Sequence, residues 1–169
     1  MNMATKFQQR GATLIISMIF LLILSIIGLS GMEVTGLEEK MAGNMRDKNM
    51  AFQSAEAALR EGEDLLENTV ILPSFDGSNG FYALPTNGDK RWDIVDWTSS
   101  AAVRNYTGPG FDELSAVSAY LIEDLATASS SDSLEVGVPA DTKRYYRVTS
   151  QARGLSTSAE VILQSVYKR

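Results

Sequence analysis

Histidine and cysteine are both missing from this chain of 169 residues. Without them there is no Ser-His or Cys-His nucleophile pair, no imidazole general base and no His/Cys zinc site. Lysine or carboxylate chemistry stays formally open, but no spacing of those residues points to it. The expectation is a protein with no catalytic residues, no bound metal and no cofactor. No disulfide can form either, so stability must come from burying apolar surface. Clusters of Lys and Arg are also missing, and the net charge is −6. Nothing is therefore placed to neutralise a run of phosphates, and direct nucleic acid binding is not expected.

Two further absences organise the chain. No charged residue and no proline occurs from Ala12 to Met32. As a helix this run would extend about 31 Å, which matches the hydrocarbon thickness of a bilayer. In lipid every backbone N–H and C=O must be satisfied within the segment, so a helix is the only form open to it. Lys6 and Arg10 precede the run, and Glu33, Glu38 and Glu39 follow it. By the positive-inside rule the start of the chain stays in the cytoplasm and the rest is exported. A cleaved secretory signal is a competing reading, with Gly28-Leu29-Ser30 as a small-x-small site. It would need an unusually long apolar region and would discard half of the helix. An uncleaved single-pass anchor is the other.

Proline does not occur before Pro73, so nothing forces a break between Leu14 and about Glu67. Leu37, Met41, Met45, Phe52, Ala55, Leu59 and Leu66 recur at steps of three, four and seven, one apolar face of an amphipathic helix. That face is expected to cover a sheet. Gly28, Gly31, Gly36 and Gly43 each cost about 1 kcal/mol relative to alanine in a helix interior. They mark either a bend or close packing of small residues. From Asn68 to Asp112 turns dominate, with one short strand expected around Trp92 to Trp97. Asp76-Gly77-Ser78-Asn79-Gly80 is similar to a calcium loop but lacks the later ligands, and a plain turn is the better reading. AYLIEDL (119–125) reads as a strand, and Ser129-Ser130-Ser131 as a loop. RYYRVTSQAR (144–153) sets Tyr146, Val148, Ser150 and Ala152 on one face. AEVILQSVY (159–167) sets Ala159, Val161, Leu163, Ser165 and Tyr167 on one face, and 154–157 supplies the turn of an antiparallel hairpin. The fold class is α+β: a long N-terminal helix, transmembrane then amphipathic, packed on a small antiparallel C-terminal sheet.

These residues resemble a known family. Arg10-Gly11 followed by a charge-free helix looks like the class III leader of type IV pilins and type II secretion pseudopilins. LLILSIIGLSGMEVTGLEEKMAGNMRDKNMAFQSAEAALREGE resembles the N-terminal region of PilX-type minor pilins, and YYRVTSQARGLSTSAEVILQSVYKR resembles their C-terminal hairpin. The string Leu37 to Asn44 carries the likeness to that subfamily. The resemblance implies a leader over 1–11, a transmembrane half over 12–33, an amphipathic half over 34–67 and a periplasmic region over 68–169. It also implies cleavage by a prepilin peptidase between Gly11 and Ala12, and N-methylation of the new Ala12 amine.

Two positions depart from the family pattern: Ala12 stands where phenylalanine is usual, and Ile16 where most pilins carry glutamate. In those proteins the glutamate is thought to meet the terminal amine of an adjacent subunit. A subunit lacking it suits a place with nothing ahead, the filament tip; alternatively Ile16 is simply a better membrane residue. The expected function is that of a minor pilin that primes and joins a type IV pilus and supports twitching motility. It would sit in the inner membrane with its C-terminal domain in the periplasm, and reach the cell surface in the pilus. Implied partners are other minor pilins and the major pilin through the helix, the prepilin peptidase and the inner-membrane assembly platform. Alternatives are a K-type pseudopilin of type II secretion, or a membrane-anchored periplasmic binding protein.

Overall fold

The computed structural model describes residues 12–85, 87–129 and 142–169. The leader with Arg10-Gly11, and Ser130-Ser131 of the serine patch, lie outside the described residues. The chain divides into two compact units, Met1–Gly43 and Asn44–Arg169. One helix, α1 (Ala12–Asn68), runs from the first unit into the second. In the first unit its described residues are exposed throughout.

In the second unit the last part of α1 packs on a six-stranded sheet, giving the α+β arrangement expected. The strands are β1 (Asp76–Ser78), β2 (Phe81–Ala83), β3 (Arg104–Asn105), β4 (Ala119–Ser129), β5 (Thr142–Arg153) and β6 (Glu160–Lys168), in the order β1-β2-β4-β5-β6 with β3 also on β4. The β5–β6 hairpin has the register the alternation implies, Tyr146 opposite Tyr167 and Ala152 opposite Val161. The sheet departs from a pure antiparallel one at a single pair. β2 runs parallel to β4, with Phe81 beside Ile122 and Tyr82 beside Glu123. β1, β2 and β3 are only two or three residues long, too short to leave a period in the sequence.

The expected strand around Trp92 to Trp97 is instead a helical turn, α2 (Arg91–Ile94). Two side chains explain the difference. Trp97 Nε1 donates to the Trp92 carbonyl at 3.0 Å, and Asp96 accepts the Thr98 N–H at 2.9 Å, so the segment folds back on itself. Asp76 likewise closes a local turn, accepting from the Ser74 hydroxyl and from the Ser78 hydroxyl and N–H. Gly77, Asn79 and Gly80 there have φ of 92°, 50° and 79°, a conformation glycine and asparagine adopt most easily.

Because successive residues of a strand face opposite sides, the sheet has two covered surfaces. On the helix side Tyr120, Ile122, Tyr146, Val148 and Phe81 meet Ala58 and Leu66 of α1 to form the core. On the other side Leu121, Glu123 and Thr149 are equally buried. The connection preceding β4 covers that side: Tyr82 donates to the Ala102 carbonyl at 2.7 Å, and the Arg91 guanidinium lies 4.8 Å over the Tyr82 ring.

Candidate functional site

The candidate site is α1 itself, and its two parts are built for different surroundings. In the first unit Leu14, Ile15, Ile16, Met18, Ile19 and Phe20 begin a run of exposed apolar side chains. The helix is long and apolar enough to cross a membrane. Ser17, Ser25 and Thr35 turn their hydroxyls back to carbonyls three or four residues earlier, which hides their polarity within the helix. A side chain at Gly28, Gly31, Gly36 or Gly43 would meet nothing within 4 Å.

In the second unit the covered face of α1 consists of Ala51, Ser54, Ala55, Ala58, Gly62 and Leu66. Mostly small residues let the helix approach the sheet closely. A Cβ added at Gly62 would lie 2.6 Å from Val148 Cγ1 and 3.0 Å from the Tyr120 ring. At this separation side chains reach the helix backbone: the Ser150 hydroxyl donates to the Ala55 carbonyl at 2.7 Å, and Ser54 and Ser118 share a buried hydroxyl contact. Glu61 accepts the Thr107 N–H at 3.0 Å, and the Tyr120 hydroxyl lies 3.4 Å from the same carboxylate. Burial pushes the Tyr120 hydroxyl pKa up, against the pull of Arg104.

Asp47 ties the helix to the β5–β6 turn. Its carboxylate accepts from the Leu155 N–H at 2.5 Å, from the Ser156 N–H at 3.2 Å and from the Ser156 hydroxyl. The hydroxyl is the main reason its pKa lies below the ordinary carboxylate value, helped by the two amides. Gly154 is required beside it, since a side chain there would run into the Asp47 carboxylate and carbonyl.

The residues expected to cover the sheet fall into two groups. Ala55 and Leu66 are buried, and Leu59 is half-buried against the core. In the second unit Met45 and Phe52 are exposed, Phe52 by 44 %; Leu37 and Met41 belong to the first unit, where they too are exposed. The reason is geometric. Each helical residue advances about 100°, and the small residues Ala51, Ser54, Ala58 and Gly62 lie to one side of the line of large ones. The sheet takes the small side because only there can the backbones come close. Ile16, where the resemblance implies a missing glutamate, is exposed within the apolar run. Gly11 lies outside the described residues, and Ala12 opens α1.

The PilX N-terminal family model matches residues 10–60, and the model of the type IV pilus assembly protein PilX C-terminal region matches 47–169. The chain belongs to the PilX family of type IV pilus assembly proteins. No curated protein and no solved structure matches it. The C-terminal match also takes in 64–144, between the two stretches that carry the resemblance, so the turn-rich connection, α2 and β1 to β3 all fall within the PilX region. The two matches overlap over 47–60, where Asp47 and the first small residues of α1 meet the sheet. What the apolar spacing did not reveal is the row of small residues, although Ala51, Ala55, Ala58 and Gly62 stand at steps of four, three and four.

Proposed function

We propose that this chain is a minor pilin: a subunit that primes assembly of a type IV pilus and enters it through α1, at or near the tip. Membership of the PilX family supports the pilus role. The observation that carries the subunit role is the division of α1, apolar and exposed from Leu14 to Met32 yet covered on one face by the sheet between Ala51 and Leu66. Such a helix can lie in a bilayer before assembly and against neighbouring helices afterwards. Leu37, Met41, Met45 and Phe52 are exposed, and they are the side chains on which those helices would pack. Truncating two of them to alanine should lower pilus number while leaving the domain folded.

On this reading a prepilin peptidase cuts between Gly11 and Ala12, the Ala12 amine is methylated, and the domain after the membrane helix is periplasmic until assembly. Twitching motility follows from the pilus rather than from any chemistry of this chain. Intact-mass measurement of the membrane form tests the proposal. The expected mature chain begins at Ala12, and Gly11→Val should leave the precursor uncut. A chain that retains Met1, or begins near Met32, would sink it. Co-purification with secretion components instead of pilus subunits would favour the K-type pseudopilin.

A further inference from the structure

Beyond the helix, the second unit carries a groove that the pilin reading does not use. It has a volume of about 530 Å³ and is walled by Leu72, Pro73, Phe75, Tyr146, Arg144 and Arg169. The walls are held in place before anything binds. Phe75 stacks on Tyr146 at 5.6 Å and meets Phe81 edge-on at 5.5 Å. Arg169 donates to the carbonyls of Thr69 at 2.7 Å and Val70 at 3.3 Å, and its main chain pairs with that of Arg144. Just before the groove, Val70 and Ile71 are 88 % and 85 % exposed, two adjacent apolar side chains at the rim.

Both charged residues of the groove are arginines, in a chain whose net charge is −6. Arg144 is 58 % exposed and its Asp124 partner stands off at 3.8 Å. That loose pair leaves guanidinium N–H groups for a better-placed carboxylate, which an arginine can grip with two parallel hydrogen bonds. A groove lined by both apolar side chains and arginines fits a peptide whose acidic residue neighbours a large apolar one. We infer that this groove docks an extended acidic segment of a neighbouring pilus subunit, its carboxylate on Arg144 and its apolar side chain along Leu72, Pro73 and Phe75. The inference rests on the subunit reading for the source of the segment, and on the groove alone for its chemistry.

Photo-crosslinking of the full chain in piliated cells tests it, with benzoylphenylalanine placed at Ile71 and, as a control, at the exposed Val166. The expected product from position 71 is a crosslink to another pilus subunit, mapped by mass spectrometry to a peptide with Asp or Glu beside an aromatic or branched residue. Arg144→Glu should lower its yield at least tenfold and Arg144→Lys by much less, with processing, membrane level and the Val166 control unchanged. A yield insensitive to Arg144→Glu overturns the inference, as does a product with lipid, nucleic acid or a second copy of this chain, or no product at all. Pilus number after deletion of the whole chain reports separately on the subunit reading, which would stand if only the crosslink failed.

Discussion

Asp47 and Glu123 are both carboxylates of the second unit, and their surroundings move them in opposite directions. Asp47 is held ionised by the Ser156 hydroxyl and two backbone N–H groups, so its pKa is lowered from 3.8. Glu123 has a side chain only 1 % exposed, an ion pair to Arg147 at 3.5 Å, and no hydrogen bond to either oxygen. Burial raises its pKa from 4.5, against the opposing pull of Arg147 and Arg91. Linkage gives the sign of each. For Asp47 the unfolded chain binds more protons between the folded and ordinary values, so its contribution is present above about pH 4 and lost in stronger acid. For Glu123 the folded chain binds more, so stability falls as pH rises from 4.5 through the raised value. Unfolding by denaturant at pH 3 to 8 should therefore separate two variants. Asp47→Asn should be less stable than wild type at pH 7 and lose less on acidification. Glu123→Gln should be more stable at pH 7 and show a smaller decline between pH 5 and 7. Reversal of the Glu123→Gln effect would mean that the Arg147 and Arg91 attraction outweighs burial.

At the scale of the element, the glycines of α1 divide into two kinds. Gly62 faces Val148 and Tyr120 with no room for a methyl group, while Gly43 faces open space. Replacing either by alanine removes a helix penalty of about 1 kcal/mol. At Gly62 this gain meets an overpacking cost of about 1 to 3 kcal/mol, so Gly62→Ala should be neutral to destabilising and Gly62→Val clearly destabilising. Gly43→Ala should raise helix stability without a clash. Thermal melts followed by circular dichroism check both, and a Gly62→Val variant melting at or above wild type would show that the helix can stand off from the sheet. The same element marks how much the sequence disclosed. The extent of α1 and the β5–β6 hairpin were legible because each repeats its period over many residues, 3.6 in the helix and two in the strands. Which side of α1 is covered was not. Apolar size points to Met45 and Phe52, whereas close approach selects Ala51, Ser54, Ala58 and Gly62 by their lack of size. β1, β2 and β3 were illegible for another reason: each exists through its partners, β2 and β3 through β4, and β1 through β2. Of the candidate site, Ala55, Leu59 and Leu66 were read as contacts with the sheet, and the ties from Asp47 to Ser156 and from Ser150 to Ala55 were not. They join residues about a hundred positions apart, a distance at which no periodicity carries a signal.

For the whole molecule, the proposed minor-pilin role raises the question of where it would stand among neighbours in a filament, and Ile16 is the residue that addresses it. Most pilins have a glutamate at this place, and by the resemblance that glutamate would pair with the amine of the subunit ahead. If Ile16 reflects only tolerance, Ile16→Glu should be harmless, because an amine ahead would be there to receive it. If this subunit has nothing ahead, the new carboxylate lies at helix depth in an apolar setting with no cation to pair with. Inserting a charge at the centre of a membrane helix costs roughly 2.5 to 3.5 kcal/mol, less whatever protonation recovers. The assembled state would carry that cost, and by mass action fewer complexes would form. The expected outcome is fewer surface pili per cell, with the variant still processed at Ala12 and still present in the membrane. Counting pili by electron microscopy and locating labelled subunits on sheared filaments measures both halves of the argument. Wild-type pilus numbers with label spread along the shafts would remove the tip position. A variant that is degraded or left unprocessed would move the effect from the filament to the membrane, and Ile16→Gln, polar but uncharged, would then separate loss of insertion from loss of assembly.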